Sequence, residues 1–200
     1  MRKEVFCIML QLSLIACVDK KLGIGKGNDL IYTYKEDMEH FIKTTRGHIV
    51  IMGSETYLSL KRPLKDRLNI VLTSGNNKEV NERRKIDGKY LTDKTDILFV
   101  NSVEEVLRFI AKPRQKDRKA FVIGGESIYT QFLLFASELI LTEVDDVRPA
   151  DKYFPEFNWL KFEVVEERSL IENVTIKIYE RKVDRHVETT IEELSASGVT

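Results

Sequence analysis

Cysteine is scarce in this chain of 200 residues, with Cys7 and Cys17 as the two examples. Two thiols cannot build a disulfide scaffold or a cysteine-rich zinc site. Net charge is missing too, because 32 Lys and Arg residues balance 32 Asp and Glu residues. Bulk charge therefore cannot capture a nucleic acid, and the high net charge that keeps weakly hydrophobic chains unfolded is absent. No apolar run reaches the ~18 residues of a membrane-spanning helix. His40, His48 and His186 lack metal-ligand spacing, so no metal site is expected, and no Ser, His and Asp pattern suggests a nucleophilic triad. What the chain does have is 42% hydrophobic residues over about one domain's length, enough for a single sizeable core.

The N-terminus offers two readings. Arg2 and Lys3 precede a largely apolar stretch from Val5 to Val18, and Leu14-Ile15-Ala16-Cys17 looks like a lipoprotein cleavage site. The other reading is a buried first strand over Leu12 to Val18. It is preferred, because Glu4 and Gln11 interrupt the apolar region and Asp19-Lys20-Lys21 follows as a strand-end turn.

Short β-branched runs alternate with helical patterns along the rest of the chain, the signature of an α/β domain. Strands are expected at Leu12–Val18, His48–Met52, Leu68–Thr73 and Ile97–Val100, then at Ala120–Ile123, Glu138–Val144, Phe162–Arg168 and Val174–Arg181. The middle runs are nearly continuous in apolar residues, as in strands covered on both faces. The last two read as an antiparallel hairpin at a sheet edge. Capping-box patterns at Thr33–Glu36 and Ser102–Glu105 open helices to about Thr44 and Ile110. Met38, Phe41 and Ile42 give the first helix an apolar stripe, and further helices follow at Ser54–Leu60 and Ser127–Phe135. Asn76–Asp96 and Ala111–Lys119 are charge-rich and read as solvated loops. Residues 183–200 turn acidic and Ser/Gly/Thr-rich, which suggests a tail or linker.

Four constellations carry chemistry. Gly23-Ile24-Gly25-Lys26-Gly27 follows the first strand, where open α/β sheets bind ligands. Asp37 lies in the first turn of its helix and shares a face with Phe41, as a lone carboxylate beside an apolar stripe. Met52-Gly53-Ser54-Glu55-Thr56 runs from a strand end into a helix start, a potential anion site that the charge of Glu55 opposes. Ser74-Gly75 resembles a second such strand end. Ile123-Gly124-Gly125-Glu126 repeats the arrangement, with bare backbone for a ligand to pack on.

These pieces, in this order, closely resemble the dihydrofolate reductase family over about Leu12 to Lys182. The resemblance implies a three-layer α/β fold: an eight-stranded, mixed and mostly parallel sheet, helices on both faces and an antiparallel C-terminal hairpin. Residues 1–11 are then an N-terminal extension, 12–182 the enzyme domain and 183–200 a tail or linker. The implied activity is hydride transfer from NADPH to C6 of 7,8-dihydrofolate with protonation at N5, giving tetrahydrofolate. Asp37 would hold the pterin, with Thr142 supporting it. Tyr32 would stand, after Ile31, where the family usually has Pro-Trp, and Cys17 where it commonly has Ala. Cys17, Ile24, Leu30 and Ile123 would border the reacting rings, and Phe41, Leu60 and Leu64 the benzoyl group. Arg67 would clamp the glutamate carboxylate. On the cofactor side the resemblance implies Gly53, Ser54 and Thr56 after one strand and Thr73 and Ser74 after another. It adds Gly124, Gly125, Glu126, Ser127, Ile128 and Tyr129 after a third, with Gly124-Gly125 as a cis peptide. Ser54-Glu55 replaces a pair that is often basic in the family, and Lys78, Arg83, Arg84 or Lys85 are candidates to compensate. The implied protein is cytoplasmic and monomeric, acting on a small-molecule substrate away from nucleic acid and membrane, with a thymidylate synthase as a possible fused or associated partner. A riboflavin-pathway pyrimidine reductase and a degenerate folate- or NADPH-binding paralogue are the other readings. Asp37 and Arg67 favour the folate branch.

Overall fold

A computed structural model describes residues 11–73, 78–112, 115 and 117–182. The N-terminal segment 1–10, Ser74 and the tail 183–200 lie outside the described residues, together with the expectations placed on them. The main sheet has eight strands in the order β10-β11-β8-β1-β7-β4-β5-β6. These are β1 (Leu12–Asp19), β4 (Ile49–Gly53), β5 (Leu68–Leu72), β6 (Asp96–Val100), β7 (Ala120–Val122), β8 (Glu138–Val144), β10 (Phe162–Ile171) and β11 (Val174–Arg181). The pairs from β8 through β6 are all parallel, whereas β11 runs antiparallel to both β8 and β10.

Strand parity divides the core, because successive side chains point to opposite faces. Leu12, Leu14, Ile49, Ile51, Ile70, Val122 and Leu141 share one cluster. It is covered by α4 (Val103–Ile110) and α5 (Glu126–Phe132), which contribute Val106, Leu107, Ile128 and Phe132. Their strand neighbours Ile15, Val50, Met52, Val71, Phe121 and Ile140 point the other way. There they meet α1 (Lys35–Thr45), α2 (Ser54–Ser59) and α3 (Lys78–Asp87), which supply Phe41, Tyr57 and Val80. Both faces are therefore apolar, as the near-continuous hydrophobic runs require.

Several sequence expectations need correction. The glycine-rich stretch after β1 is a strand rather than a loop: β2 (Gly23–Lys26) lies between β3 (Asp29–Leu30) and β9 (Lys152–Tyr153) in a small antiparallel sheet. Glycines are weak strand formers, so the pattern concealed it. The charged stretch Asn76–Asp96 holds helix α3, and the hydrophobic signal was weak because Val80 is its one buried apolar side chain. The Thr33–Glu36 capping box does not form, since α1 starts at Lys35 with Tyr34 as an N-cap that makes no side-chain bond. Nor does α1 bury its expected stripe: Met38 and Ile42 are 43% and 39% exposed. The inward face carries Asp37, Phe41 and Thr45, at i, i+4 and i+8. Before α4, the Ser102 hydroxyl accepts from Glu105 N–H at 3.2 Å, but Glu105 reaches back to Asn101 N–H at 3.0 Å instead of to Ser102.

A fully buried ionic group docks α3. Asp87 is 0% exposed and accepts from Tyr57 Oη at 2.7 Å and from Arg83 Nε at 2.9 Å. Arg83 also donates from Nη2 to the Leu60 carbonyl at 2.6 Å, capping the end of α2. Removing one member strands the others, whereas replacing all three side chains with apolar groups leaves none of them unpaired. Asp87→Ala is expected to destabilise the fold by about 3–5 kcal/mol in urea unfolding. The triple change Tyr57→Phe/Arg83→Met/Asp87→Leu, which leaves no hydroxyl stranded, should recover most of that loss.

Candidate active site

A cleft of about 750 Å³ opens across the carboxyl ends of β1, β4, β5 and β7, lined there by Cys17, Gly53, Thr73 and Ile123. This is the ligand-binding edge of an open α/β sheet. The β2–β3 hairpin contributes Ile24 and Leu30 as one wall. Ser54 and Thr56 come from α2; Gly124 and Gly125 precede α5, which adds Glu126, Ser127, Ile128 and Tyr129.

The glycines leave bare backbone where a side chain would not fit. A Cβ on Gly53 would lie 2.9 Å from Ile128 Cγ1. Gly124 has φ +108°, and a Cβ there would meet the Tyr129 ring at 3.1 Å. The Gly124–Gly125 peptide is cis. Tyr129 is buried against Phe154 and donates its hydroxyl to the Ile15 carbonyl at 2.8 Å; burial holds its pKa well above the usual tyrosine range. Thr73 Oγ1 is buried with no partner among the described residues. An unmet hydroxyl and a glycine floor fit an extended ligand with hydroxyl and phosphate groups, so the lining suits a nicotinamide dinucleotide.

Beside the cleft sits one acidic group. Cys17 on β1 is in register with Thr142 on the neighbouring β8, and Thr142 Oγ1 donates to Asp37 Oδ1 at 2.6 Å. Asp37 is half-buried, and burial pushes its pKa above the usual carboxylate range, while the Thr142 hydrogen bond and His40 pull the other way. The Cys17 thiol is pushed up to about 12 by burial first, then by Asp37 and Asp19, so it remains a neutral, polarizable lining group.

The other expected substrate residues surround this group. Phe41 and Ile123 pack on one cluster, and Ile123, Leu60 and Leu64 on another, so Ile123 joins them into one apolar wall. Arg67 is 5% exposed. Its Nε donates to Thr45 Oγ1 at 2.9 Å, Nη1 to Lys65 O at 2.8 Å and Nη2 to Ile42 O at 3.2 Å. A guanidinium has five donors, so one N–H on each terminal nitrogen remains for a ligand. Asp37, Phe41, Leu60, Leu64, Arg67 and Thr142 do not line the main cleft itself.

Tyr32 is elsewhere. Its ring stacks on Tyr34, with centroids 5.9 Å apart, and the Arg148 guanidinium lies over it at 4.3 Å. Burial first, then Asp146, pushes its hydroxyl up to about 12. It packs with Val144 and Val174 and does not line the cleft, so the ring expected at the pterin site belongs to the wall behind it. Three of the four candidate compensating cations have partners away from the cleft, and Lys78 is exposed at the start of α3. Arg83 holds Asp87, Arg84 lies 4.9 Å over Phe99, and Lys85 pairs with Glu82.

Two residues shape the site through contacts that the sequence did not specify. Buried Asp19 accepts from the N–H groups of Lys21 and Gly23 at 2.8 Å and of Arg148 at 3.2 Å, fixing the turn into β2. The strand-end turn expected at Asp19-Lys20-Lys21 is present, and the Asp19 side chain closes it. Asp151 binds the Gly27 N–H with both oxygens at 3.0 Å across 124 residues, a contact with no local signature.

The fold and site together define an α/β enzyme with a dinucleotide-sized cleft and, beside it, the half-buried carboxylate of Asp37. A family model described as dihydrofolate reductase matches residues 11–184. The dihydrofolate reductase of Bacillus subtilis (strain 168) is 34% identical over 151 residues, covering 74% of this chain and 79% of that protein. Dihydrofolate reductase HdrB of Haloferax volcanii is 32% identical over 175 residues, covering 84% and 82%. The solved structure of Enterococcus faecalis dihydrofolate reductase, complexed with NADP(H) and RAB-propyl, has a TM-score of 0.67 at 23% identity and covers 87% of this chain and 99% of that one. This chain belongs to the dihydrofolate reductase family.

Thr142→Val tests the one hydrogen bond that opposes burial at Asp37. Without it the Asp37 pKa should rise further, and a carboxyl-specific infrared or NMR titration of Asp37 should move to higher pH.

Proposed function

We propose that the protein reduces 7,8-dihydrofolate to 5,6,7,8-tetrahydrofolate with NADPH. The observation that carries this reading is Asp37, a lone half-buried carboxylate held by Thr142 at 2.6 Å beside a glycine-floored cleft. When bound in the cleft, NADPH supplies the hydride.

Thr142 takes one lone pair of Asp37 Oδ1, which leaves the other lone pair of Oδ1 and both of Oδ2 to accept from N3 and the 2-amino group of the pterin as a parallel pair. That contact orients the ring and favours protonation at N5 by water. Cys17, Ile24, Leu30 and Ile123 exclude bulk water from the reacting carbons. Phe41, Leu60 and Leu64 hold the benzoyl ring, and the two spare N–H donors of Arg67 take the glutamate carboxylate as a planar pair. Gly53, Ser54, Thr56, Thr73 and the turn from Gly124 to Tyr129 hold the dinucleotide. Tyr32 acts indirectly, by buttressing the wall that carries Cys17.

The same proposal places the chain in the cytoplasm as a monomer acting on a small molecule, with residues 12–182 as the enzyme domain. In support, no helix among the described residues is long and apolar enough to cross a membrane, and the family match runs over 11–184. Residues 1–11 are its extension, and 183–200 its tail or linker to a thymidylate synthase.

Loss of NADPH absorbance on adding dihydrofolate should be seen with wild-type protein, and Asp37→Asn should lower kcat/KM by about 10²–10⁴. The variant should nevertheless fold more stably. A carboxyl whose folded pKa is raised loses stability as pH climbs from the ordinary carboxylate value through the raised one. Thus Asp37→Asn should raise the Tm at pH 7, and the gain should vanish in acid below the ordinary carboxylate pKa. Absence of turnover in folded wild-type protein would overturn the reading.

A further inference from the structure

Reading the cleft as the dinucleotide site raises the question of which dinucleotide it accepts. The charged side chains along it are Asp29, Glu55, Glu126 and Lys152, three carboxylates against one ammonium. No arginine lines it among the described residues. Residues 74–77, which follow Thr73, read Ser-Gly-Asn-Asn and add no charge. Of the basic residues in α3, Arg83, Arg84 and Lys85 are engaged with Asp87, Phe99 and Glu82. Lys78, exposed at the start of α3, is the remaining cation there.

Glu55 is exposed in the first turn of α2, between the cleft-lining hydroxyls of Ser54 and Thr56. A phosphate monoester carries about −1.5 to −2 charges at neutral pH. A cleft of negative sign repels that group, and its low-dielectric walls concentrate the field. A ribose 2′-hydroxyl meets no such penalty. In the doubly wound dinucleotide-binding folds an acidic side chain pairs with the 2′-hydroxyl of NAD and an arginine with the 2′-phosphate of NADP, and the same charge logic applies to this cleft. This cleft has Glu55, Ser54, Thr56 and the Thr73 hydroxyl, which has no partner among the described residues, all suited to a neutral ribose.

We propose that the protein accepts NADH alongside NADPH as hydride donor, with Glu55 holding down selectivity for the phosphorylated cofactor. The reaction balances as written: the C4 hydride of NADH forms the new C6–H bond of the pterin, a solvent proton goes to N5, and NAD⁺ leaves. The proposal rests on the dihydrofolate-reducing function.

The test measures kcat/KM for NADPH and for NADH at one saturating dihydrofolate concentration, at low and high salt. Substrate charge enters both arms equally and cancels in the ratio. The NADPH:NADH ratio is expected to lie below about 20 at low salt and to rise as salt screens the repulsion. Glu55→Gln is expected to raise it about fivefold at low salt, the scale of one charge facing a phosphate across water. A wild-type ratio of about 20 or more, or a ratio that Glu55→Gln leaves unchanged, overturns the proposal. So does a tenfold fall in the ratio with Lys78→Gln, which would show that this lysine supplies a phosphate site after all. Turnover with neither cofactor would instead remove the dihydrofolate-reducing function on which the proposal rests.

Discussion

Strand β1 is buried on both faces, and the placement of every other site element follows from that constraint. Its Leu12 and Leu14 enter the core under α4 and α5, while Ile15 enters the opposite core near α1. It pairs with β7 on one edge and β8 on the other, so it brings residues from distant parts of the chain to one sheet end. Where it emerges, Cys17 reaches the cleft and Asp19 fixes the turn into the β2 wall. The Ile15 carbonyl anchors Tyr129 from α5. A parallel strand with no wet face has to be apolar along its length, which is why a lipoprotein-like string and a central strand look alike here.

The site divides its electrostatic work between two regions. On the α1 side, burial works against the Asp37 charge and a single Thr142 hydroxyl partly restores it. This balance leaves a carboxylate able to bind a cationic or amide-like edge strongly, because little water competes. On the cleft side, recognition depends on backbone exposed by glycine and on hydroxyls, with more carboxylate than ammonium in the lining. The buried Arg67 belongs to the first strategy: three internal acceptors fix its plane, which preorganises the remaining donors. Helix α3 supports both regions from behind, since Arg83 holds the Leu60 carbonyl and Asp87 holds Tyr57 of α2.

Much of this was legible in the chain. The eight strands of the main sheet were visible because burial on both faces writes continuous β-branched runs, and Glu138–Val144 and Val174–Arg181 emerge with the expected ends. The Gly124-Gly125 and Gly53 turns were visible because close backbone approach requires glycine. Helix α3 was hidden because it is held by a buried ion group, and Arg83, Asp87 and Tyr57 read individually as ordinary surface types. The apolar stripe of α1 was misplaced for a related reason: its inward face is set by Asp37 and Phe41, so Met38 and Ile42 turn outward.

The sequence by itself determined which residues form the eight strands of the main sheet, where strand ends meet glycine and which single acid stands beside an aromatic on α1. Those are local properties, set by side-chain periodicity and backbone freedom. Tertiary structure alone decided that Asp151 holds Gly27 and that Tyr32 faces Arg148 instead of the cleft, and it set the 2.6 Å approach of the expected Thr142 partner to Asp37 across 105 residues. It also decided that the charged residues near the cleft leave carboxylates in the majority. Such facts depend on strand order and on which side chains run out of partners, and neither is encoded in spacing along the chain.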